Sequence, residues 1–123
     1  MKYEYYEYDE HDFSSGLGFE HYCADLLRRN DYQDVKLTFV HDGGVDITAH
    51  REGIFYVFQC KLRKGSTVGR DAIQQIFTGR ALYGADKGVV MTNAPLTRRA
   101  ASDAYQLGID VWSEDYLRLL SNN

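Results

Sequence analysis

No apolar run in this sequence approaches the roughly 18–20 residues that cross a bilayer, which excludes a membrane-spanning helix. The first twelve residues, MKYEYYEYDEHD, hold five acids and a single lysine. They lack the basic start and apolar stretch of a secretory signal, and the basic composition of a transit peptide. Cysteine is scarce. The two present, Cys23 and Cys60, have no metal-ligand spacing. Two buried thiols in a reducing cytoplasm, bacterial, archaeal or phage-encoded, are expected rather than a disulfide. No segment repeats, and beyond the tyrosine-rich start none has low complexity. Positive charge is not in excess either. The net charge is −4, which weighs against a nucleic-acid binder, since such proteins are usually basic.

What is present is ordinary in amount and uneven in placement. Hydrophobic residues make up 44% and charged residues 26% of 123 residues, which suits one globular domain with one core. Residues 61–70 carry Lys61, Arg63, Lys64 and Arg70 with no acid, and Arg98 and Arg99 follow later. One surface can therefore be basic on an acidic whole. Residues 1–13 read as an acidic, tyrosine-rich arm and 14–123 as the domain.

Ser14 and Ser15 are candidate helix N-caps. After them Phe19, Cys23, Leu26 and Leu27 recur at helical spacing. DVKLTFV (34–40) alternates, with Val35, Leu37 and Phe39 on one face. HDGG (41–44) is turn chemistry. VDIT (45–48) alternates again, Glu52-Gly53 turns, and IFYVFQCKL (54–62) is apolar enough for a central strand covered on both faces. Residues 63–69 form a polar loop, and Asp71 to Tyr83 reads as a helix. KGVVMTN (87–93) is a strand. Thr97 caps a helix that stops at Gly108. IDVW (109–112) is a short strand, and Ser113 caps a last helix. The order is α-β-β-β-α-β-α-β-α. Tight turns make the first three strands antiparallel, and right-handed crossovers add two parallel strands. The expected fold is α/β, a mixed five-stranded sheet flanked by helices.

The turn fixes a register. With Glu52 and Gly53 as loop residues, Arg51 pairs with Ile54 and Asp46 falls opposite Gln59. Directly opposed side chains share a face, with Cβ atoms roughly 4.5–5.5 Å apart. Lys61 lies two residues on, at a diagonal of about 7–8 Å. An odd-length loop would send Asp46 to the other face. Two readings stand. Asp46 and Lys61 form a weak ion pair on a solvated face, worth about 0–1 kcal/mol. Alternatively, Asp46, Gln59 and Lys61 form a site for phosphodiester hydrolysis. In that site a carboxylate and an amide oxygen hold a hard cation, and an ammonium stabilises phosphate charge.

The ordered set GLGFEHYCADLLRRNDY, DGGVDI, FQCK, VGRDAIQQIFTGRALYGADKGVVMTNAPLT and RRAASDAY, over about residues 16–120, resembles the Mrr-like restriction endonuclease catalytic domain of the PD-(D/E)xK nuclease superfamily. The resemblance implies a restriction-endonuclease-like three-layer fold. It also implies a metal-dependent DNA endonuclease of restriction or defence type that uses Mg²⁺, with Mn²⁺ as a substitute. Carried over, Asp46 matches the metal-binding aspartate and Gln59 the glutamine this branch has in place of an acid. Lys61 matches the catalytic lysine, and Glu20 a helix glutamate that reaches the metal. Either Gln74 or Gln75 matches a helix glutamine facing the site. The implied products carry a 5′-phosphate and a 3′-hydroxyl.

The loop KGSTVGR brings Ser66, Thr67, backbone N–H groups and a helix N-terminus together. It suits a DNA-backbone contact with Lys64 and Arg70, or a plain polar loop. It lacks Walker spacing. His50 shares Asp46's parity but reads best as a partly exposed structural histidine. His41 flanks the site in sequence, and Trp112 reads as a core or interface anchor. Many relatives carry a separate DNA-recognition domain for which this chain has no room, so the expectation is a catalytic domain that acts alone or with a separate DNA-recognition subunit. Cutting both strands suggests a homodimer. The rival functions are a structure-selective nuclease such as a junction resolvase, and a non-catalytic DNA-binding subunit. Metal binding separates the last from the rest.

Overall fold

The computed structural model describes residues 16–38 and 44–123. The tyrosine-rich arm, Ser14 and Ser15, Phe39, Val40 and the turn at 41–43 lie outside the described residues. The elements are α1 (Gly16–Arg29), β1 (Gln33–Leu37), β2 (Ile47–Arg51), β3 (Ile54–Lys61), α2 (Arg70–Tyr83), β4 (Lys87–Thr92), α3 (Arg98–Leu107), β5 (Asp110–Trp112) and α4 (Glu114–Ser121). Their order is the one the sequence predicts. The sheet runs β1-β2-β3-β4-β5. The first three strands are antiparallel, and β4 and β5 join parallel to β3.

The predicted register holds. Arg51 pairs with Ile54 and Ile47 with Phe58. Glu52 and Gly53 have φ of 53° and 80°, the two positive values of a primed two-residue hairpin turn. That turn matches the right-handed twist of the strands and keeps the side-chain alternation in step across them.

Alternation along β3 divides the core. Tyr56, Phe58, Cys60 and Leu62 face one layer, where Phe19, Cys23, Leu26 and Leu27 of α1 and Leu117 of α4 meet Ile47, Val89 and Met91. Phe58 is the hub, with ring centroids 5.4 Å from Trp112, 5.7 Å from Tyr56 and 6.1 Å from Tyr32. Trp112 is thus a core anchor. Phe55 and Val57 face the opposite layer, where Ile73 and Ile76 of α2 and Ala100 and Ala104 of α3 meet Val45, Val90 and Ile109. β3 is therefore covered on both faces, as its composition predicts.

Several boundaries differ from expectation. β1 ends at Leu37, and its register shifts between Gln33 and Lys36, where Asp34 has a φ of 56°. β2 starts at Ile47 because the pairing slips by one residue at Asp46: its N–H donates to the O of Phe58 (2.8 Å), which already pairs with Ile47, while its carbonyl accepts from Thr38 N (3.0 Å). Thr97 caps α3, its hydroxyl accepting from Ala100 N, and Gly108 ends it with φ 69°. Ser113 precedes α4 without a side-chain cap hydrogen bond, contrary to the predicted cap. Both cysteines are free thiols. Among the described residues no helix is long and apolar enough to cross a membrane.

Candidate active site

β3 has two classes of residue on its α2-facing side. Val57 is buried and Phe55 half-buried against the helix, and past them come the buried Gln59 and the half-buried Lys61. Here the chain opens a cleft of about 650 Å³. Asp46, Gln59 and Lys61 line its sheet side, and Gln74, Gln75, Asp71 and Thr78 its helix side. The convergence predicted from the hairpin is therefore present.

The face is not a solvated one. Asp46 is 7% exposed and Gln59 2%. One Asp46 carboxylate oxygen accepts the Cys60 N–H at 2.8 Å. That bond ties the carboxylate to the backbone between Gln59 and Lys61, so strand geometry sets its place. Gln59 Nε2 donates to Gln75 Oε1 at 2.8 Å. Gln59 Oε1 is buried and accepts no hydrogen bond. Lys61 is half-buried, and no ion pair between it and Asp46 occurs among the described residues. The solvated Asp–Lys pair is thereby set aside.

Gly44, with φ 72°, closes the cleft from the turn side. A Cβ there would lie 2.7 Å from Gln59 Nε2 and 2.8 Å from Gln75 Cβ. Only a residue without a side chain lets the backbone at 44 approach the amide pair this closely.

Glu20 stands apart from the cleft walls, on α1. Its charge nevertheless reaches the sheet. The Cys60 thiol is pushed well above its ordinary range by burial first, then by a hydrogen bond and charge from Cys23, then by the charges of Asp46 and Glu20.

The remaining predicted contact residues lie elsewhere. Lys64, Ser66 and Thr67 are exposed in the loop before α2. The loop itself is pinned: buried Val68 donates to Pro95 O at 3.0 Å and accepts from Thr97 N at 2.9 Å. Arg70 faces away from the cleft and is engaged by Asp103, with Nε–Oδ2 at 2.8 Å. That hydrogen bond, then the carboxylate's charge, raises its already high pKa. His50 stacks on Phe55 at 4.6 Å and lies 3.7 Å from Asp34, a structural place far along β2 from Asp46.

Three contributors escape the sequence reading. Asp71 and Thr78 join Gln74 and Gln75 on one helical stripe, a spacing the sequence offers but which needs the cleft to give it meaning. Asn93, just past β4, clamps the strand end: its amide oxygen accepts from Arg63 N (2.9 Å) and its amide nitrogen donates to Arg63 O (2.7 Å). This pair of hydrogen bonds holds the chain just past the strand end that carries Lys61.

The restriction endonuclease family model Mrr_cat matches residues 12–120. The chain belongs to this restriction endonuclease family. The Mrr_cat assignment covers both layers and every cleft residue above. Solved structures share the fold at low identity. The DNA modification-dependent restriction endonuclease AspBHI superposes with a TM-score of 0.67 at 18% identity, over 93% of this chain and 33% of its own. Can2 from Sulfobacillus thermosulfidooxidans, in complex with cyclic tetra-adenylate, gives 0.66 at 21%, over 90% and 35%. The restriction endonuclease MspJI, in complex with a 27-mer oligonucleotide, gives 0.58 at 18%, over 94% and 29%. The chain spans about a third of each of these proteins. No curated protein matches it. The fold is thus that of a restriction-endonuclease-like nuclease domain.

Proposed function

We propose that this Mrr_cat domain is a metal-dependent endonuclease that hydrolyses DNA phosphodiester bonds, of the restriction or defence type. The observation that carries the reading is the meeting of a buried Asp46 carboxylate, a buried Gln59 amide and the Lys61 ammonium in one open cleft.

The donor set fits a hard divalent cation such as Mg²⁺, with Mn²⁺ as a substitute. Gln59 Oε1 is the telling atom. A buried oxygen without a hydrogen bond costs about 1–3 kcal/mol, and a cation at that oxygen offsets the cost. Asp46 supplies the charged donor. Glu20, on α1, adds negative charge that is felt at Cys60, the residue after Gln59. Among the described residues no three His, Cys, Asp or Glu side chains gather, as follows from a neutral glutamine standing where an acid would complete the set. Mg²⁺ accepts few protein ligands and keeps several waters. When bound, such a cation draws charge from phosphoryl oxygens and makes water a better nucleophile.

The chain's own groups do the rest. The Cys60 N–H holds Asp46 in place. Lys61 sets a positive charge opposite the scissile phosphate, where it stabilises developing negative charge. Asn93 keeps the strand end that carries Lys61 in line. Lys64, Ser66 and Thr67, exposed in the loop that leads from β3 into α2, contact the DNA backbone in this reading. The products carry a 5′-phosphate and a 3′-hydroxyl. Two chains together supply the two clefts that a double-strand cut needs.

The test is incubation of the protein with supercoiled plasmid, methylated and unmethylated, with Mg²⁺, Mn²⁺ or EDTA. Nicking or linearisation with either metal and none with EDTA is expected. DNA binding without cleavage under either metal would replace this reading with a non-catalytic DNA-binding subunit.

A further inference from the structure

The geometry points to Gln75 as a positioning residue that sets which end of the Gln59 carboxamide faces the cleft. The inference rests on the proposed cation site and adds to it a requirement created by the glutamine. A glutamate has two equivalent oxygens, so either serves as a ligand whichever way the group turns. A glutamine has one oxygen and one NH₂. Rotated by half a turn, Gln59 would direct two N–H donors at a cation and repel it. A branch with glutamine in this place therefore needs something to fix the amide's sense.

Gln75 Oε1 does this. It accepts from Gln59 Nε2 at 2.8 Å, which commits the nitrogen to the helix side and leaves Gln59 Oε1 buried with no hydrogen bond of its own. Gly44 lies beside the pair, and a Cβ built on it would fall 2.7 Å from Gln59 Nε2. Gln74 lines the same cleft but does not bond Gln59. On this account Gln75 acts through Gln59, and its carbonyl oxygen is the atom that matters.

The experiment is Mn²⁺ titration of the full chain, followed by electron paramagnetic resonance without DNA. The proteins are wild type, Asp46→Ala, Gln75→Leu, Gln75→Glu, Gln59→Glu and the Gln59→Glu/Gln75→Leu double variant. Loss of a group that orients a ligand typically costs about 10–100-fold in metal affinity, and Gln75→Leu is expected in that range. Gln75→Glu keeps the acceptor oxygen and is expected to bind Mn²⁺ at least as tightly as wild type. In the Gln59→Glu background either carboxylate oxygen serves, so Gln75→Leu is expected to cost less than about 3-fold, the mark of coupled residues. Equal losses from Gln75→Leu in both backgrounds would overturn the assignment, since a packing role or a direct metal contact is indifferent to residue 59. So would a Gln75→Glu loss as large as that of Gln75→Leu. Unchanged affinity in Asp46→Ala would overturn the cation site itself, and this inference with it.

Discussion

Gly44→Ala is a single-methyl change whose cost can be worked out from two surroundings. Gly44 and Gly53 have nearly the same backbone, with φ of 72° and 80°. An alanine at either position takes the left-handed conformation, which costs roughly 1–2 kcal/mol. At Gly53 nothing lies within 4 Å of the new methyl, so that strain is the whole effect. At Gly44 the methyl overlaps Gln59 Nε2 at 2.7 Å and Gln75 Cβ at 2.8 Å. The amide pair must part. Gln59 is 2% exposed, so its released N–H groups remain out of water, at a further cost of about 1–3 kcal/mol. The expected losses are about 1–2 kcal/mol for Gly53→Ala and roughly 2–5 kcal/mol for Gly44→Ala. Urea denaturation followed by Trp112 fluorescence measures both. Gly44→Ala is also expected to lose DNA cleavage, and Gly53→Ala to keep it. Equal midpoints for the two variants, with cleavage intact in both, would refute the view that the turn is packed against the amide pair.

Phe58→Ala removes the ring on which Tyr32, Tyr56 and Trp112 converge, and is expected to cost about 3–5 kcal/mol by urea denaturation; a loss under 1 kcal/mol would mean this layer is not the main core. Alkaline conditions should destabilise the fold in a defined window. The Cys60 thiol is raised by burial, then Cys23, then Asp46 and Glu20; the Tyr32 phenol is raised by burial, then Tyr56. Both groups keep their protons in the folded chain, whereas the unfolded chain releases them near the ordinary values of 9 and 10. Their contribution is therefore full below the ordinary thiol value and is lost as pH rises through the folded values. The melting temperature should hold level up to that point and fall beyond it, with a shallower fall in Tyr32→Phe; an equally steep fall in that variant would remove Tyr32 from the account.

Much of this site is legible in the sequence because a two-residue turn and a period of two leave little freedom. Glu52-Gly53 fixes the pairing of Arg51 with Ile54, and the alternation then carries Asp46 to Gln59 and Lys61. What alternation does not reveal is which face a helix covers. The solvated-pair reading fails because Ile73 and Ile76 lay α2 over Phe55 and Val57, so the polar end of that face becomes a cleft wall. Gln74 and Gln75 are adjacent, and both face the cleft. Only the distance to Gln59 distinguishes them, and that depends on where α2 docks. Arg70 counts as a free positive charge in the sequence, but Asp103, 33 positions on, engages it. Asn93 reads in the sequence as the last residue of the strand at 87–93, and its clamp on Arg63 depends on a parallel pairing that brings positions 30 apart together.

In the proposed reaction Asp46 and Lys61 act on a phosphodiester in this cleft. Single-turnover cleavage of a duplex with Mg²⁺ tests it most directly, with wild type, Asp46→Asn and Lys61→Ala compared at matched protein concentration. Asparagine retains an oxygen for the Cys60 N–H, and Lys61 makes no ion pair among the described residues, so both variants should fold. The account predicts that each loses cleavage by about 100-fold or more while urea midpoints stay close to wild type. Cleavage at the wild-type rate in both variants would contradict it and place the chemistry elsewhere on the molecule.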